Sequence, residues 1–241
     1  MIKAVIFDLD GTLVDTIEDL KDALNVSLKQ NGYNISYSRK QTMDLVGSGI
    51  RNLCKNAIEN ITCQEEDIDK VLSSFIPNYD KMQINHSKPY EGVIELLDYI
   101  KQKNIKCAVF SNKKYENTVY IVNHLFKENT FDFIYGKKEG YPLKPDTRAL
   151  DLILDELKVK KEEVLYVGDS DVDMKTAING NLIKVAVTYG YRDKNILLSY
   201  NPDYIVSSPL EIKSILEQIK WQNQNKRGSY IPLRVDKNDT L

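Results

Sequence analysis

Short, strongly apolar runs punctuate the chain at Ala4–Leu9, Cys107–Ser111, Phe131–Gly136, Val164–Gly168 and Ile183–Val187. Each is rich in Val, Ile, Phe or Tyr, and most lack the polar alternation of a half-exposed strand. Runs of this kind read as strands covered on both faces, as in a parallel sheet. Helical periods lie between them. Val93, Leu96, Leu97 and Ile100 make one apolar stripe, and Leu150, Ile153, Leu154 and Leu157 make another. Strand and helix in alternation predict an α/β fold, a doubly wound parallel sheet with a Rossmann-like core.

The first two runs are about 100 residues apart, whereas a crossover between parallel strands needs only a dozen or so. Something is inserted between them, and its pattern is helical. Thr16 with Asp19 is a candidate cap for a helix carrying Ile17, Leu20, Leu24 and Leu28, and Ser38 with Gln41 is a second candidate capping box. Ile68, Val71, Leu72, Phe75 and Tyr79 fit a further helix. The pattern predicts a helical cap domain over 15–85, closed by a His86–Gly92 linker that holds Pro89 and Gly92. The catalytic core is then 1–14 with 86–221. After Trp221 comes a Gln/Asn tract and no clear period, so 222–241 reads as a flexible tail.

Charge excludes some partners. Lys and Arg number 33 against 35 Asp and Glu, and the signs are interleaved. That balance gives no electrostatic case for nucleic acid or an anionic membrane. No apolar run approaches the roughly 20 residues that span a bilayer, and the N-terminus lacks a signal-peptide pattern. Cys54, Cys63 and Cys107 form no ligand cluster, and their odd number fits a reduced, cytoplasmic chain; the expected assembly is a monomer or a homodimer. His86 and His124 have no partner pattern.

The chemistry collects where the strands end. Ligands of an open parallel sheet bind beyond the carboxyl ends of its strands. Asp8-Leu9-Asp10-Gly11-Thr12 follows the first run and Ser111-Asn112-Lys113 closes the second. Lys144-Pro145 precedes the helix that leads into the fourth run, and Gly168-Asp169-Ser170-Asp171-Val172-Asp173 follows it. A carboxylate is a weak nucleophile, yet it attacks phosphorus when Mg²⁺ draws charge off the phosphoryl oxygens. A second carboxyl two residues on, re-aimed by the turn at Gly11, can protonate the leaving oxygen and later deprotonate water. Asp169 offers a further hard oxygen ligand. Thr12, Ser111 and Asn112 are candidate phosphate-binding residues, and Lys144 adds a point positive charge to the transferring group.

In order and over about residues 3–190, these clusters resemble the four motifs of the haloacid dehalogenase-like hydrolase superfamily. The insert directly after the first motif is similar to the superfamily's helical-cap class. Within that class, Val46-Gly47-Ser48-Gly49, Pro89-Tyr90-Glu91-Gly92-Val93 and Val187-Thr188-Tyr189-Gly190-Tyr191-Arg192 look most like phosphoglycolate phosphatases. The resemblance implies a nucleophilic Asp8 and an acid/base Asp10. It implies Mg²⁺ held by the Asp8 and Asp169 side chains and the Asp10 carbonyl, with Asp173 behind them. It also implies a small phosphate ester, phosphoglycolate, as substrate. Gly47, Ser48, Gly49 and Arg51 are then candidate cap residues facing that substrate, with Arg51 pairing a second anionic group.

The same chemistry also serves a sugar phosphomutase or a pyrophosphatase, and the fold without it serves a catalytically silent regulatory protein. The intact Asp8, Asp10, Lys144 and Asp169 weigh against silence. Asp171 reads as a solvated or helix-capping carboxylate.

Overall fold

The computed structural model describes residues 1–225. The first strand, β1 (Ala4–Phe7), leads through a tight turn into β2 (Val14–Asp15), and four helices follow. These are α1 (Ile17–Gln30), α2 (Arg39–Leu45), α3 (Ile50–Ile58) and α4 (Glu65–Met82). The chain returns through β3 (Lys88–Pro89), which pairs antiparallel with β2. Helices and strands then alternate as α5 (Val93–Gln102), β4 (Lys106–Lys114), α6 (Tyr115–Leu125), β5 (Phe133–Lys137), α7 (Arg148–Leu157) and β6 (Val164–Gly168). The series ends with α8 (Asp171–Gly180), β7 (Ile183–Val187), α9 (Lys194–Leu198), β8 (Tyr204–Val206) and α10 (Pro209–Asn225).

Six strands form one parallel sheet in the order β5-β4-β1-β6-β7-β8. Strand β1 shows why the apolar runs lack alternation. All four of its residues are buried. Val5 and Phe7 enter one apolar cluster, with the stripe of α5 and with Ile212, Ile215 and Leu216 of α10. Ala4 and Ile6 enter another, with the stripe of α7. Successive strand residues point to opposite faces, so a strand between two helical layers must be apolar at every position. From β1 the topology runs one way to β4 and β5 and the other way to β6, β7 and β8. The carboxyl end of β1 is therefore the switch point at which a crevice opens.

The helical insert packs around its own apolar cluster. Leu20, Leu24 and Leu28 of α1 meet Leu53, Ala57 and Ile58 of α3 and Ile68, Val71 and Phe75 of α4. Tyr191, from the loop after β7, joins them. Ser38 and Gln41 form the expected capping box at α2. Thr16 and Asp19 do not cap α1. The Thr16 hydroxyl donates to Asp10 instead. The Asp19 carboxylate accepts from the backbone N–H groups of His86 and Ser87 and from the Ser87 hydroxyl, tying α1 to the returning linker.

The last helix runs through residues 222–225, and 226–241, the rest of the expected tail, lies outside the described residues. Among the described residues no helix is long and apolar enough to cross a membrane. The three cysteines are free, with Cys54 and Cys107 buried and Cys63 exposed.

Candidate active site

Asp8 stands one residue beyond β1, where its backbone N–H donates to the Val167 carbonyl of β6 (2.9 Å). Asp169 holds the matching place one residue beyond β6. On the other side, β4 bulges against β5 between Phe110 and Lys114. The bulge carries Ser111, Asn112 and Lys113 out of regular pairing, a usual way to re-aim side chains beside a site. Lys144 arrives from the loop between β5 and α7. The structure thus brings Asp8, Asp10, Ser111, Asn112, Lys144 and Asp169 around one cavity, which Gly47 and Gly49 of the insert close from above.

Lys144 is the electrostatic centre of this floor. Its Nζ lies 2.9 Å from Asp8 Oδ1 and 2.7 Å from Asp173 Oδ1. Burial favours the neutral amine, but Asp173 and Asp8 outweigh it and hold the ammonium pKa well above its usual value. Asp173 itself is fully occupied. Oδ1 accepts from Lys144 and from the Tyr166 hydroxyl (3.2 Å), and Oδ2 accepts from the Ser170 N–H and hydroxyl. Through Oδ1 it holds the Lys144 ammonium beside Asp8.

Asp169 sits in a glycine cradle. A Cβ on Gly11 would lie 2.3 Å from Asp169 Oδ2, and one on Gly190 would lie 2.3 Å from Asp169 Cβ. Only glycine permits that approach, and Gly11 also needs its positive φ of 82°. The Thr12 hydroxyl donates to Asp169 Oδ1 (3.0 Å) and the Tyr191 N–H to Oδ2 (2.7 Å). Thr12, expected on the phosphate, therefore spends its proton on Asp169. Burial and then the neighbouring Asp173 push the Asp169 carboxyl up to about 7, against those two hydrogen bonds.

Asp10 is turned away from this group by a network that spans core and insert. Its Oδ1 accepts from the Thr16 hydroxyl (2.6 Å) and lies 3.2 Å from Lys113 Nζ. Lys113 donates also to the Tyr79 hydroxyl of α4 (2.6 Å), and its Nζ stands 4.5 Å from the centre of that ring. The Tyr191 hydroxyl meets both the N–H and the hydroxyl of Thr16 at 3.0 Å. Burial works against the Lys113 charge, but Asp10 and Tyr79 more than offset it and raise the ammonium pKa. Lys113, Thr16, Tyr79 and Tyr191 had no functional place in the sequence reading. Lys113 and Tyr191 did lie inside motifs that marked the resemblance.

The insert residues divide. Gly47 and Gly49 reach the cavity, joined there by Leu20, Val46, Ile50 and Leu53. Asn112 clamps this closure: Nδ2 donates to the carbonyls of Gly47 and Lys144 (3.3 Å each), and Oδ1 accepts the Lys144 N–H (2.7 Å). Its amide is thus a brace and not a free phosphate donor. Ser111 accepts the Lys113 N–H (3.1 Å), and its own proton has no recorded acceptor among the described residues. Ser48 does not line the cavity. Its carbonyl takes the Asn52 amide (2.9 Å).

Arg51 is also away from the cavity, contrary to expectation. It is exposed at the edge of the buried face that Leu53, Cys54, Ala57 and Ile58 form on α3, and its guanidinium pairs with Glu65 and Asp69. The arginine at the cavity is Arg192, whose guanidinium is spent on the Met43 and Val46 carbonyls at the end of α2.

The donor set suits a hard divalent cation. Oxygens of Asp8, Asp169 and Asp173 lie within 4.8 Å of one another. Asp8 Oδ1 is buried without an aligned hydrogen bond, although the Lys144 ammonium is an ion-pair partner. Burial, and then Asp173, Asp169 and Asp10, push the Asp8 carboxyl well above its usual range against the pull of Lys144. Among the described residues, Asp8, Asp10, Asp169 and Asp173 face two buried ammonium groups, those of Lys113 and Lys144. A bound dication supplies the missing charge and inverts this local pKa logic. Mg²⁺ takes oxygen ligands of this kind. Asp8 and Asp169 are the carboxylates that could hold it, since Asp173 already accepts from Lys144, Tyr166 and Ser170 and the Asp10 side chain is engaged with Thr16 and Lys113.

Known proteins resemble this chain in sequence and fold. The family model described as haloacid dehalogenase-like hydrolase matches residues 5–187. A phosphoglycolate phosphatase of Agrobacterium fabrum is 33% identical over 204 residues, covering 83% of this chain and 86% of its own. The pyrophosphatase PpaX of Halalkalibacterium halodurans is 24% identical over 215 residues, covering 89% and 97%. A crystal structure from Lactobacillus delbrueckii subsp. bulgaricus matches with a TM-score of 0.85 at 29% identity, covering 89% of this chain and 98% of that one.

Proposed function

The chain belongs to the haloacid dehalogenase-like hydrolases, and from that premise we propose that it is a phosphatase acting on a small phosphate monoester, phosphoglycolate, through Asp8. The observation that carries this reading is the setting of Asp8: a carboxylate only 13% exposed at the sheet's switch point, 2.9 Å from the Lys144 ammonium, with a second carboxyl two residues on. The named activity of the Agrobacterium relative supports phosphoglycolate as the ester.

In the first step an Asp8 oxygen attacks phosphorus and the bond from phosphorus to the alcohol oxygen breaks. Asp10 gives its proton to that oxygen. The second step reverses the roles. Asp10, now a carboxylate, takes a proton from water as the water oxygen attacks phosphorus, and the bond from phosphorus to Asp8 breaks. Lys144 neutralises the transferring group throughout, and the free Ser111 hydroxyl can donate to one of its oxygens. Mg²⁺, when bound, draws negative charge off the phosphoryl oxygens. Residues 15–85 act as the cap, excluding bulk water while the acyl phosphate exists.

Phosphate release should be measured with Mg²⁺ on a panel of phosphoglycolate, hexose phosphates, nucleotides and pyrophosphate. Phosphoglycolate should give the highest kcat/KM. A clear preference for pyrophosphate or a hexose phosphate would replace the substrate and leave the chemistry standing. No release from any of them would sink the phosphatase reading.

Metal removal gives a second expectation. EDTA should abolish turnover, Mg²⁺ should restore it, and Ca²⁺ should inhibit. Ca²⁺ takes more oxygen ligands at longer distances, so it competes for the Asp8 oxygen that must attack. Full activity after exhaustive chelation would contradict this.

A further inference from the structure

We infer that Lys113 reads the leaving group: it binds an anionic substituent next to the ester oxygen and so selects phosphate esters of short acidic alcohols. The inference rests on the phosphatase reading, because it names the substrate class of that same cavity.

The argument begins with the cations around the cavity. Lys144 stands between Asp8 and Asp173, on the phosphoryl side. Arg192 lines the cavity, but its terminal nitrogens are held by the Met43 and Val46 carbonyls and its Nε faces Asp171 at 3.6 Å. Arg51 is turned to solvent with Glu65 and Asp69. Beyond the polar floor, the insert's wall of Leu20, Val46, Ile50 and Leu53 offers no charge. Lys113 is what remains. It lines the cavity, and its side chain is only 4% exposed.

Its geometry suits the task. An ammonium has three donors. Two are directed at Asp10 Oδ1 (3.2 Å) and the Tyr79 hydroxyl (2.6 Å), and the third has no recorded acceptor among the described residues. Tyr79 is itself fixed by stacking on Phe75, with ring centres 5.6 Å apart, so the ammonium is held from the insert as well as from the core. Contact with Asp10 also settles which end of the substrate Lys113 meets. Asp10 serves the leaving oxygen, so a cation touching Asp10 lies beside the leaving group and not beside the phosphoryl group. In phosphoglycolate a methylene separates the ester oxygen from the carboxylate, which brings that carboxylate close to Asp10. Once Asp10 has given its proton to the leaving oxygen, two carboxylates stand near each other and repel unless a cation lies between them. Lys113 is that cation, and its buried setting makes the attraction stronger than in water.

The test compares phosphoglycolate with 2-hydroxyethyl phosphate, a neutral ester of nearly the same shape, in the wild type and in Lys113→Met. The wild type should favour phosphoglycolate by about 10²-fold or more in kcat/KM, the scale on which a buried charge pair discriminates. Lys113→Met should lose most of that preference, with the larger fall on phosphoglycolate and in KM. An equal fall on both esters would mean that Lys113 only positions Asp10, and would overturn the inference. So would a wild type that turns over both esters equally, a result independent of whether the variant folds. In that case the phosphatase reading survives. Release from neither ester would end both.

Discussion

Replacing Asp8 by Asn is expected to cut phosphate release by about 10⁵-fold or more, the scale on which loss of a nucleophile acts, and to leave the protein folded. An amide cannot form the acyl phosphate, and it is a poorer ligand for the cation. The fold should tolerate the change because nothing structural depends on the Asp8 charge. Its Oδ1 makes no aligned hydrogen bond, and Lys144 keeps Asp173. The sign of the pKa shift agrees. Burial raises the Asp8 carboxyl well above its usual range in the metal-free protein. An acid raised in this way holds its proton more tightly when folded. Its contribution to stability is present below its unfolded pKa and is lost as pH rises through the folded one. At neutral pH without metal, Asp8→Asn should therefore melt no lower than the wild type. Robust turnover by the pure variant would contradict the nucleophile assignment. A collapsed melting temperature would contradict the account of its surroundings.

Asp10→Asn should slow turnover by a factor on the order of 10²–10⁴, the usual size of a general acid/base contribution. The loss should depend on the leaving group. Alkyl esters such as phosphoglycolate need a proton on the departing oxygen, whereas aryl phosphates leave as stabler anions and need less help. The measurement is the ratio of wild-type to variant kcat/KM across a leaving-group series, and the ratio should shrink as the alcohol becomes more acidic. A constant ratio would remove Asp10 from the acid role. Asp10 also anchors Thr16 and Lys113, so a uniform loss has a structural origin ready to hand.

The sheet was legible because its strands are covered on both faces. That condition forces unbroken apolar runs, and the runs at Val164–Gly168 and Ile183–Val187 coincide with β6 and β7. The three-residue β8 and the two-residue pair β2–β3 are too short to leave a periodic signal. The polar floor of the cavity was legible for another reason. Each of its residues lies within a few positions of a strand end or in one marked loop, so local sequence and spatial neighbourhood coincide.

What sequence missed depends on contacts between distant segments. Thr16 sits where a helix cap belongs, and nothing local reveals that its proton goes to Asp10 while Tyr191, 175 residues away, meets it from the other side. Arg51 was misplaced because spacing alone cannot tell the two faces of α3 apart. Leu53, Cys54, Ala57 and Ile58 mark the buried face, and Arg51 stands at its edge, where Glu65 and Asp69 of α4 draw its guanidinium outward. Lys113 stood in view within Ser111-Asn112-Lys113. Its importance appears only when Asp10 of the core and Tyr79 of α4 converge on it.

The central claim is a covalent bond between phosphorus and Asp8, and chemical trapping reaches it most directly. The enzyme would be mixed with Mg²⁺ and saturating phosphoglycolate, quenched in acid during turnover, and reduced with borohydride. Hydride reduces an acyl phosphate to the alcohol and leaves a free carboxylate untouched, so a phosphorylated aspartate becomes homoserine. Mass spectrometry of the peptide containing Asp8 should find homoserine at that position and at no other, and only when substrate was present. Continued phosphate release with Asp8 unmodified under the same quench, or homoserine at a different aspartate, would contradict the account.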